Sequence, residues 1–440
     1  MAEAGIINRS YLSSTTFLDQ REILKQVLDV EDNESFLDLM DVMGRSTPTS
    51  QVTYRHFVNS DLYASAEVQN DPMNGTDGAA IGAEFSIDLV QSAIQPIVGE
   101  IMMTKDGKRA LVTAITNDAN NVFTVKALEA FAQTDIEQGD TVVFFSNAYG
   151  EGTGSNLMRK SDLTATSNNV QIFKTKTSIT DLAAGSKIEV EYKGKPYYFL
   201  KQQHDAFLKH RMDVQYGMLY GIGGSTTDAS GNTVNMTKGL HEYIKGGGVQ
   251  QTVANAGTVA LATDLNNLSR KLDKARAGAE YIILAGGEAD NAIDLGIATA
   301  DMFKSGGVQY GAFNGSEEQA VKLGFESFRV FGRTFHKKRL QALDNGNVVN
   351  PVDAFKFDSY AYLIPSNGVK VEHGGGVVDR ISTRYMELHD GSTTRYREKL
   401  LGGLAPTPTS DTDTLDIVYT SIEGLSVVGV DHFGWLYVNG

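Results

Sequence analysis

The chain contains no cysteine in 440 residues. That excludes disulfide cross-links, thiolate nucleophiles, cysteine zinc sites and cysteine-held iron–sulfur clusters. Stability must come from packing or from assembly with other chains. Packing is available: 41% hydrophobic and 21% charged residues is an ordinary globular balance, and a chain this long buries about three quarters of its unfolded surface. At about 150 residues per domain, the length allows roughly three domains or one elaborated one. No apolar h-region follows Met1, and no run approaches the ~18 apolar residues of a membrane span. A soluble cytosolic product is therefore expected. The net charge of −15 argues against a protein whose main task is gripping nucleic-acid phosphate, since such binding is driven by counterion release onto Lys and Arg. It leaves room for a protein that merely encloses nucleic acid.

Glycine is abundant (45) and proline scarce (8), so the loops are turned by glycine rather than stiffened by proline. Asp19 and Glu22 suit a helix start before the stripe Ile23, Leu24, Val27 and Leu28. Phe36, Leu37, Leu39, Met40 and Met43 repeat the helical spacing, and Gly44 is placed to end that second helix. Gln51 to Val58 reads as extended. Helices this short are marginal alone and need a surface to dock on. From Pro96 to Phe145, four short apolar runs (Ile97–Thr104, Arg109–Ile115, Val122–Leu128, Thr141–Phe145) are separated by turn residues, the pattern of a small antiparallel barrel or sandwich. Asn156 to Lys195 is polar, with two strand-like stretches, Val170–Ile179 and Lys187–Tyr192. Such a core-poor hairpin either frays or lies across another protein, and Gln171-Ile172-Phe173-Lys174 and Tyr192, which give it something to bury, favour the second.

The clearest helix runs from Pro196 to Tyr220, with Leu200, Phe207, Val214 and Met218 on one side. Gly221, Gly223 and Gly224 stop it. Further helices are expected over Ala262–Ala277 and Ala289–Ala300, and strands over Tyr281–Ala285, Gly324–Phe335, Asp358–Ile364, Leu415–Ile422, Leu425–Val430 and Phe433–Val438. Helices and strands are mixed rather than alternating, which makes the class α+β.

The search for reactive constellations is negative. Lys108 and Lys195 follow glycines, but Arg109 and Pro196 stand where a phosphate loop needs Ser or Thr. Gly150, Gly152 and Gly154 miss the dinucleotide spacing, and no G-x-S-x-G elbow is present. No two histidines fall at i, i+4. Asp411, Asp413 and Asp416 lack the glycine and closing glutamate of a calcium loop. No catalytic residue, metal or cofactor is therefore expected. The mixture Phe325, Phe328, Arg329, Phe331, Arg333, Phe335, His336, Lys337, Lys338 and Arg339 admits two readings, a stacking platform with a basic rim and a half-buried strand.

Taken in order, these segments resemble the major capsid proteins of tailed double-stranded-DNA phages, whose fold is shared with encapsulins and the herpesvirus capsid floor. Gly44-Arg45-Ser46 and Tyr54-Arg55-His56-Phe57 are similar to arm sequences of that family, and Thr237-Lys238-Gly239-Leu240 is similar to the turn that follows its spine helix. The resemblance implies an N-terminal arm over 1–71 and an inserted small β-barrel region over 72–150. It further implies an extended hairpin loop over 151–195, a peripheral domain with the spine helix over 196–280, an axial domain over 281–350, and a return to the peripheral domain over 351–440. Phe36, Tyr54 and Phe57 in the arm, and Phe173, Lys174 and Tyr192 in the hairpin, are the expected contacts between subunits.

The function so implied is structural. The subunit would self-assemble into hexamers and pentamers of an icosahedral virion capsid, built in the host cytoplasm. The shell would enclose double-stranded DNA without sequence-specific binding and without a membrane, alongside portal, scaffold and decoration proteins. Lys209 and Arg211 on the spine helix read as surface ion pairs, and removing Met1–Gly44 is expected to abolish assembly while leaving a folded subunit. The alternatives are an encapsulin-like cargo shell, a ligand- or carbohydrate-binding protein using the small barrel, and a nucleic-acid binder built on Phe325–Arg339.

Overall fold

A computed structural model describes residues 36–59, 64–70, 72, 78–90, 96–117, 121–154, 163–180, 198–253, 260–299, 326–344, 356–370, 377–387 and 393–438. The expected helix at Ile23–Leu28 and the expected strand at Lys187–Tyr192 lie outside them. Met1–Arg55 with Ser167–Gly440 forms one compact unit, and His56–Thr166 forms a second. No described helix is long and apolar enough to cross a membrane.

The described residues open with helix α1 (Phe36–Val42), strand β1 (Ser46–Thr49) and strand β2 (Thr53–Asn59). Gly44 ends α1 as expected, at φ 68°, which lets Arg45 N–H reach back to the Met40 carbonyl at 3.0 Å. The second unit then supplies β3 (Ala64–Glu67), β4 (Glu84–Asp88), β5 (Glu100–Met103), β6 (Arg109–Asn117), β7 (Val122–Ala127) and β8 (Thr141–Asn147). These six form one antiparallel sheet in the order β3-β8-β5-β6-β7-β4. The sheet curls into a half-barrel, and an antiparallel bridge between Val68 and Leu89 joins its two edges. Its four inner strands, β5 to β8, are the ones legible in the sequence; the edge strands β3 and β4, short and with Ala, Ser and Glu prominent, carry no apolar run. The concave side is filled by Ile87, Met102, Phe123, Val125 and Phe144, each no more than 2% exposed.

Strand β9 (Leu163–Asn169), which pairs with β2, leads back to β10 (Gln171–Thr180) and to the long helix α2 (Tyr198–Tyr220). The hairpin β11 (Ile222–Thr227) and β12 (Thr233–Lys238), not anticipated from sequence, follows at once, then α3 (Leu240–Gly247) and β13 (Val249–Val253). Next come α4 (Ala260–Lys274), β14 (Glu280–Ala285), α5 (Gly287–Thr299), β15 (Glu326–Val330), β16 (Arg333–Arg339) and β17 (Tyr360–Pro365). The chain finishes with the small pair β18 (Val369–Lys370) and β19 (Val377–Val378), then β20 (Ile381–Met386), β21 (Arg397–Leu401), β22 (Thr414–Val427) and β23 (Gly434–Val438).

Two differences from the expected strands have local causes. Within the expected strand Gly324–Phe335, the described residues 326–335 belong to a hairpin rather than one strand, because Phe331 (φ 50°) and Gly332 (φ 77°) take the two left-handed positions of a tight turn. Leu415–Ile422 and Leu425–Val430 are largely one 14-residue strand, running on through Glu423-Gly424 to Val427.

The larger unit is organised by a mixed sheet in the order β13-β23-β17-β14-β16-β15. Side chains alternate across a strand, so Ile282 and Leu284 of β14 enter one core while Tyr281, Ile283 and Ala285 enter another. This two-sided burial explains the uninterrupted apolar run Tyr281–Ala285. The second core is closed by Leu265, Leu268 and Leu272 of α4 and by Ala289, Ala292 and Ile293 of α5. The first is closed by α1, α2 and α3. Because Phe36, Leu37 and Met40 are 0% exposed and Leu39 is 4% exposed, α1 belongs to the fold itself. A cut through Gly44 would remove part of the core, which corrects the expectation that such a truncation leaves a folded subunit.

Candidate assembly surfaces

A second sheet carries the surface features. Its order is β1-β20-β22-β10, with β21 also paired to β22. The long β22 has β10 on one side, and β20 and β21 share the other. Strand β10 was expected as one arm of a hairpin lying across another protein; within its own chain it pairs with β22 over all ten of its residues. Directly opposed residues share a face, so Phe173, Thr175 and Thr177 turn the same way as Ser421, Tyr419 and Ile417. That face lies on α2. Phe173 is 6% exposed, and it fits because position 217 is glycine: a Cβ there would stand 2.7 Å from the Phe173 ring. His210 of α2, fully buried, lies 3.1 Å from Thr175 Oγ1 and 2.9 Å from Ser421 Oγ. Burial pushes its pKa down.

Charged groups clamp α1 where it meets this sheet. Arg395 donates to both carboxylate oxygens of Asp41, at 2.9 and 3.1 Å, and to Glu423 Oε2 at 3.2 Å. Asp38 is ion-paired with Arg211 of α2, and Lys209 with Asp213 at 2.5 Å, so both expected surface ion pairs are present. Glu423 is 0% exposed. Burial outweighs the Arg395 guanidinium and pushes its carboxyl up to about 7. Burial works against the Arg395 charge, but Asp41 and Glu423 outweigh it and raise that pKa.

A buried polar knot joins the strand ends. Asn168 Nδ2 donates to Leu425 O (2.7 Å), Lys238 O (3.1 Å) and Thr237 Oγ1 (3.2 Å), while its Oδ1 accepts from Lys238 N–H (2.7 Å) and Asn169 N–H (2.8 Å). Tyr54 donates to the same Leu425 carbonyl at 2.6 Å, and its burial raises its pKa. The Thr237-Lys238-Gly239-Leu240 turn acquires a physical reason here. Gly239 N–H donates to Gly221 O at 2.7 Å, and a Cβ on Gly239 would lie 2.6 Å from Gly221 N and 2.7 Å from Leu219 C and O. Only glycine allows the backbones to meet at the end of α2.

The expected contact residues are thus distributed unequally. Phe36 and Phe173 meet in one core, Tyr54 is tied into the polar knot, Phe57 is 64% exposed, Lys174 is exposed, and Tyr192 lies outside the described residues. Arg395, Glu423 and Asn168 were missed. An isolated Asn or Glu in a β-rich stretch gives no signal until the strands that surround it are known.

The cluster at Phe325–Arg339 is not a stacking platform. Phe328 and Phe335 are 4% and 1% exposed within the second core, Arg333 is paired with Asp273, and Lys337 is paired with Asp294 and with Asp290 at 2.9 Å. Phe325 lies outside the described residues. A shallow cavity of about 330 Å³ is lined by Gln251, Asn267, Arg270, Lys271 and Lys274, but the Lys271 ammonium is bound to Gln250 O and Gln251 Oε1 at 2.8 and 2.9 Å. Among the described residues, no group of three His, Asp or Glu is placed to hold a metal.

The described residues thus form an α+β subunit with a half-barrel sheet and a helix, α1, docked on its main core. A family model described as SU10 major capsid protein matches residues 10–315, more than half of the chain, and the chain belongs to that family. It is a structural major capsid subunit of the virion capsid, and not an enzyme. The chain is similar to a solved structure of Microbacterium phage Oxtober96 at 10% identity, covering 99% of this chain and 100% of that one with a TM-score of 0.42. It is similar to the capsid of Myoviridae phage XM1 at 9% identity, covering 99% and 100% with a TM-score of 0.41. It is also similar to the holo-SrpI encapsulin complex from Synechococcus elongatus at 11% identity, covering 63% and 77% with a TM-score of 0.32. No curated protein sequence matches the chain. The assignment rests on the family match.

Proposed function

We propose that this capsid subunit assembles into hexamers and pentamers that close an icosahedral shell around double-stranded DNA, in the host cytoplasm and with portal, scaffold and decoration proteins as partners. The observation that carries this reading is the capsid family match over residues 10–315. The net charge of −15 supports a container that does not hold its contents through phosphate contacts. In this reading 1–71 serves as an arm, 72–150 as an inserted barrel region and 151–195 as an extended loop. Residues 196–280 with 351–440 form the peripheral domain, and 281–350 the axial domain. Phe57, Lys174 and Tyr192 contact neighbouring subunits, whereas Phe36, Tyr54 and Phe173 hold the contacting segments in place.

The test is the sedimentation coefficient of the purified chain, with negative-stain images of the fastest species. Rings of five or six copies, or closed particles, support the proposal. A 47.7 kDa monomer at every concentration and salt, also when co-expressed with the neighbouring genes of its source, overturns it.

A further inference from the structure

The outward face of the β10-β22-β21 sheet has the opposite charge to the molecule as a whole. Register places Lys174 opposite Thr420, and Thr420 opposite Arg397; two residues along, Lys176 lies opposite Val418, and Val418 opposite Lys399. Opposed residues share a face, as do residues two apart. Four exposed cations therefore stand in two rows about 7 Å apart, on the two strands that flank β22, with adjacent strands spaced about 4.8 Å. The α2 side takes the alternate residues: Glu398, opposite Tyr419, accepts from Gln203 of α2 at 3.1 Å. Among the described residues of these strands, Asp416 is the one carboxylate on the outward face, and it pairs with Lys176 at 2.6 Å. The face keeps a charge of about +3.

Its remaining chemistry favours a protein over nucleic acid. Ile172 is 57% exposed and Leu401 is 39% exposed on the same side, with half-buried Val418, Thr420 and Ile422 between the cations. An apolar floor with a charged margin is the anatomy of a protein interface, and a phosphate-binding face has no use for exposed isoleucine. The partner available in excess to a capsid subunit is a second copy of itself.

That copy carries a complementary surface. His56–Thr166 holds 15 Asp and Glu against 6 Lys and Arg, a net −9 of the total −15. Glu67, Asp135, Glu137 and Asp140 gather at one rim of the half-barrel, where Gly139 N–H bonds Val68 O at 2.9 Å and Glu137 N–H bonds Asp140 Oδ2 at 2.8 Å. Lys105 pairs with Asp140 at 2.9 Å and Glu137 at 3.5 Å. Four carboxylates against one ammonium leave about −3 at the rim, the counterpart of the basic face.

We propose that the basic face of Lys174, Lys176, Arg397 and Lys399 docks the acidic half-barrel rim of a neighbouring copy. This rests on the reading of the chain as a shell subunit and adds which surfaces meet. Electrostatic matching of this kind sets register and speeds encounter, and it weakens with salt.

The test uses the full chain in three forms: K174E/R397E/K399E, E67K/E137K, and the two sets combined. Sedimentation velocity across a concentration series reads self-association at low and high salt, and thermal unfolding checks that each form is folded. Each single set is expected to weaken low-salt association by about tenfold or more, and the combined form is expected to regain most of it. Single sets that associate like wild type overturn the proposal. So does a combined form no better than either set, or a basic-face variant that associates normally while losing DNA retention. A wild-type chain that associates without forming rings or particles contradicts the shell reading while leaving the docking intact; one that stays monomeric overturns both.

Discussion

Glu423 gives the sharpest stability prediction. It is fully buried, and burial raises its carboxyl from 4.5 to about 7. A native pKa above the unfolded one means that the folded chain holds its proton longer. The associated stability is fully present below the unfolded value and is lost as pH rises through about 7. At 1.36 kcal/mol per pKa unit the loss is at most roughly 3 kcal/mol, with the opposing pull of Arg395 at 3.2 Å already included. Glu423→Gln keeps an acceptor for Arg395, which retains Asp41, and removes the titration. Urea unfolding followed by Trp435, the single tryptophan and a member of the same core, measures both proteins at about pH 5 and about pH 8. Between those points wild type should lose about 2.5 kcal/mol more than the variant, slightly less than the full amount because pH 5 already lies above the unfolded value. His210, His241 and His432 all have depressed pKa values through burial, so they cost stability on acidification instead, and they cancel in the difference. Equal pH slopes for the two proteins would refute the reasoning.

Three further substitutions probe the joints around α2. Gly239→Ala drives a methyl into the backbone of Leu219 and Gly221, where nothing can yield, and should cost about 3 kcal/mol in the same unfolding assay. Asn168→Ala removes five hydrogen bonds from a buried site, though Tyr54 still serves the Leu425 carbonyl, and should cost about 3 kcal/mol, with hydrogen exchange quickening at Lys238. Gly217→Ala would gain about 1 kcal/mol in an isolated helix, but against the Phe173 ring at 2.7 Å it should destabilise by about 1 to 2 kcal/mol. Adding Phe173→Leu should return most of that, and a Gly217→Ala that stabilises the chain would refute the packing.

Elements with their own periodicity or breakers were readable from sequence. The long helix was expected from Pro196 to Tyr220 and runs from Tyr198 to Tyr220 within the described residues, because its apolar side and terminal glycines are local signals. Four of six half-barrel strands carried apolar runs between turns. Partner choice was not readable: Gln171–Thr180 is an evident strand, but its pairing with Thr414–Val427 joins segments more than two hundred residues apart. The hairpin Ile222–Lys238 escaped notice because Gly221, Gly223 and Gly224 read as a helix stop, and their role in opening a ladder depends on Met236 and Lys238 opposite. The surface sites were legible only in pieces, since Lys174 and Arg397 become neighbours through β22 alone.

The same distinction between local signal and tertiary partner separates folding from assembly at the N-terminus. The sequence shows α1 as a marginal amphipathic helix, equally suited to dock on its own chain or on a neighbour. Its four apolar side chains, Phe36, Leu37, Leu39 and Met40, are spent in the chain's own core at no more than 4% exposure, and Asp38 and Asp41 are clamped by Arg211 and Arg395. Large apolar deletions cost about 2 to 5 kcal/mol each, so losing all four exceeds much of the roughly 5 to 15 kcal/mol that a protein has in hand. Truncation through residue 44 should therefore abolish the cooperative Trp435 unfolding transition, whereas truncation through residue 35 keeps all four of these side chains and both clamped carboxylates. If residues 1–35 serve as the assembly arm, the shorter truncation alone isolates that role: a folded subunit that no longer forms rings or particles in sedimentation and images. A truncation through residue 35 that unfolds the chain would refute the division between core helix and arm, and one that assembles normally would remove the arm from the assembly mechanism.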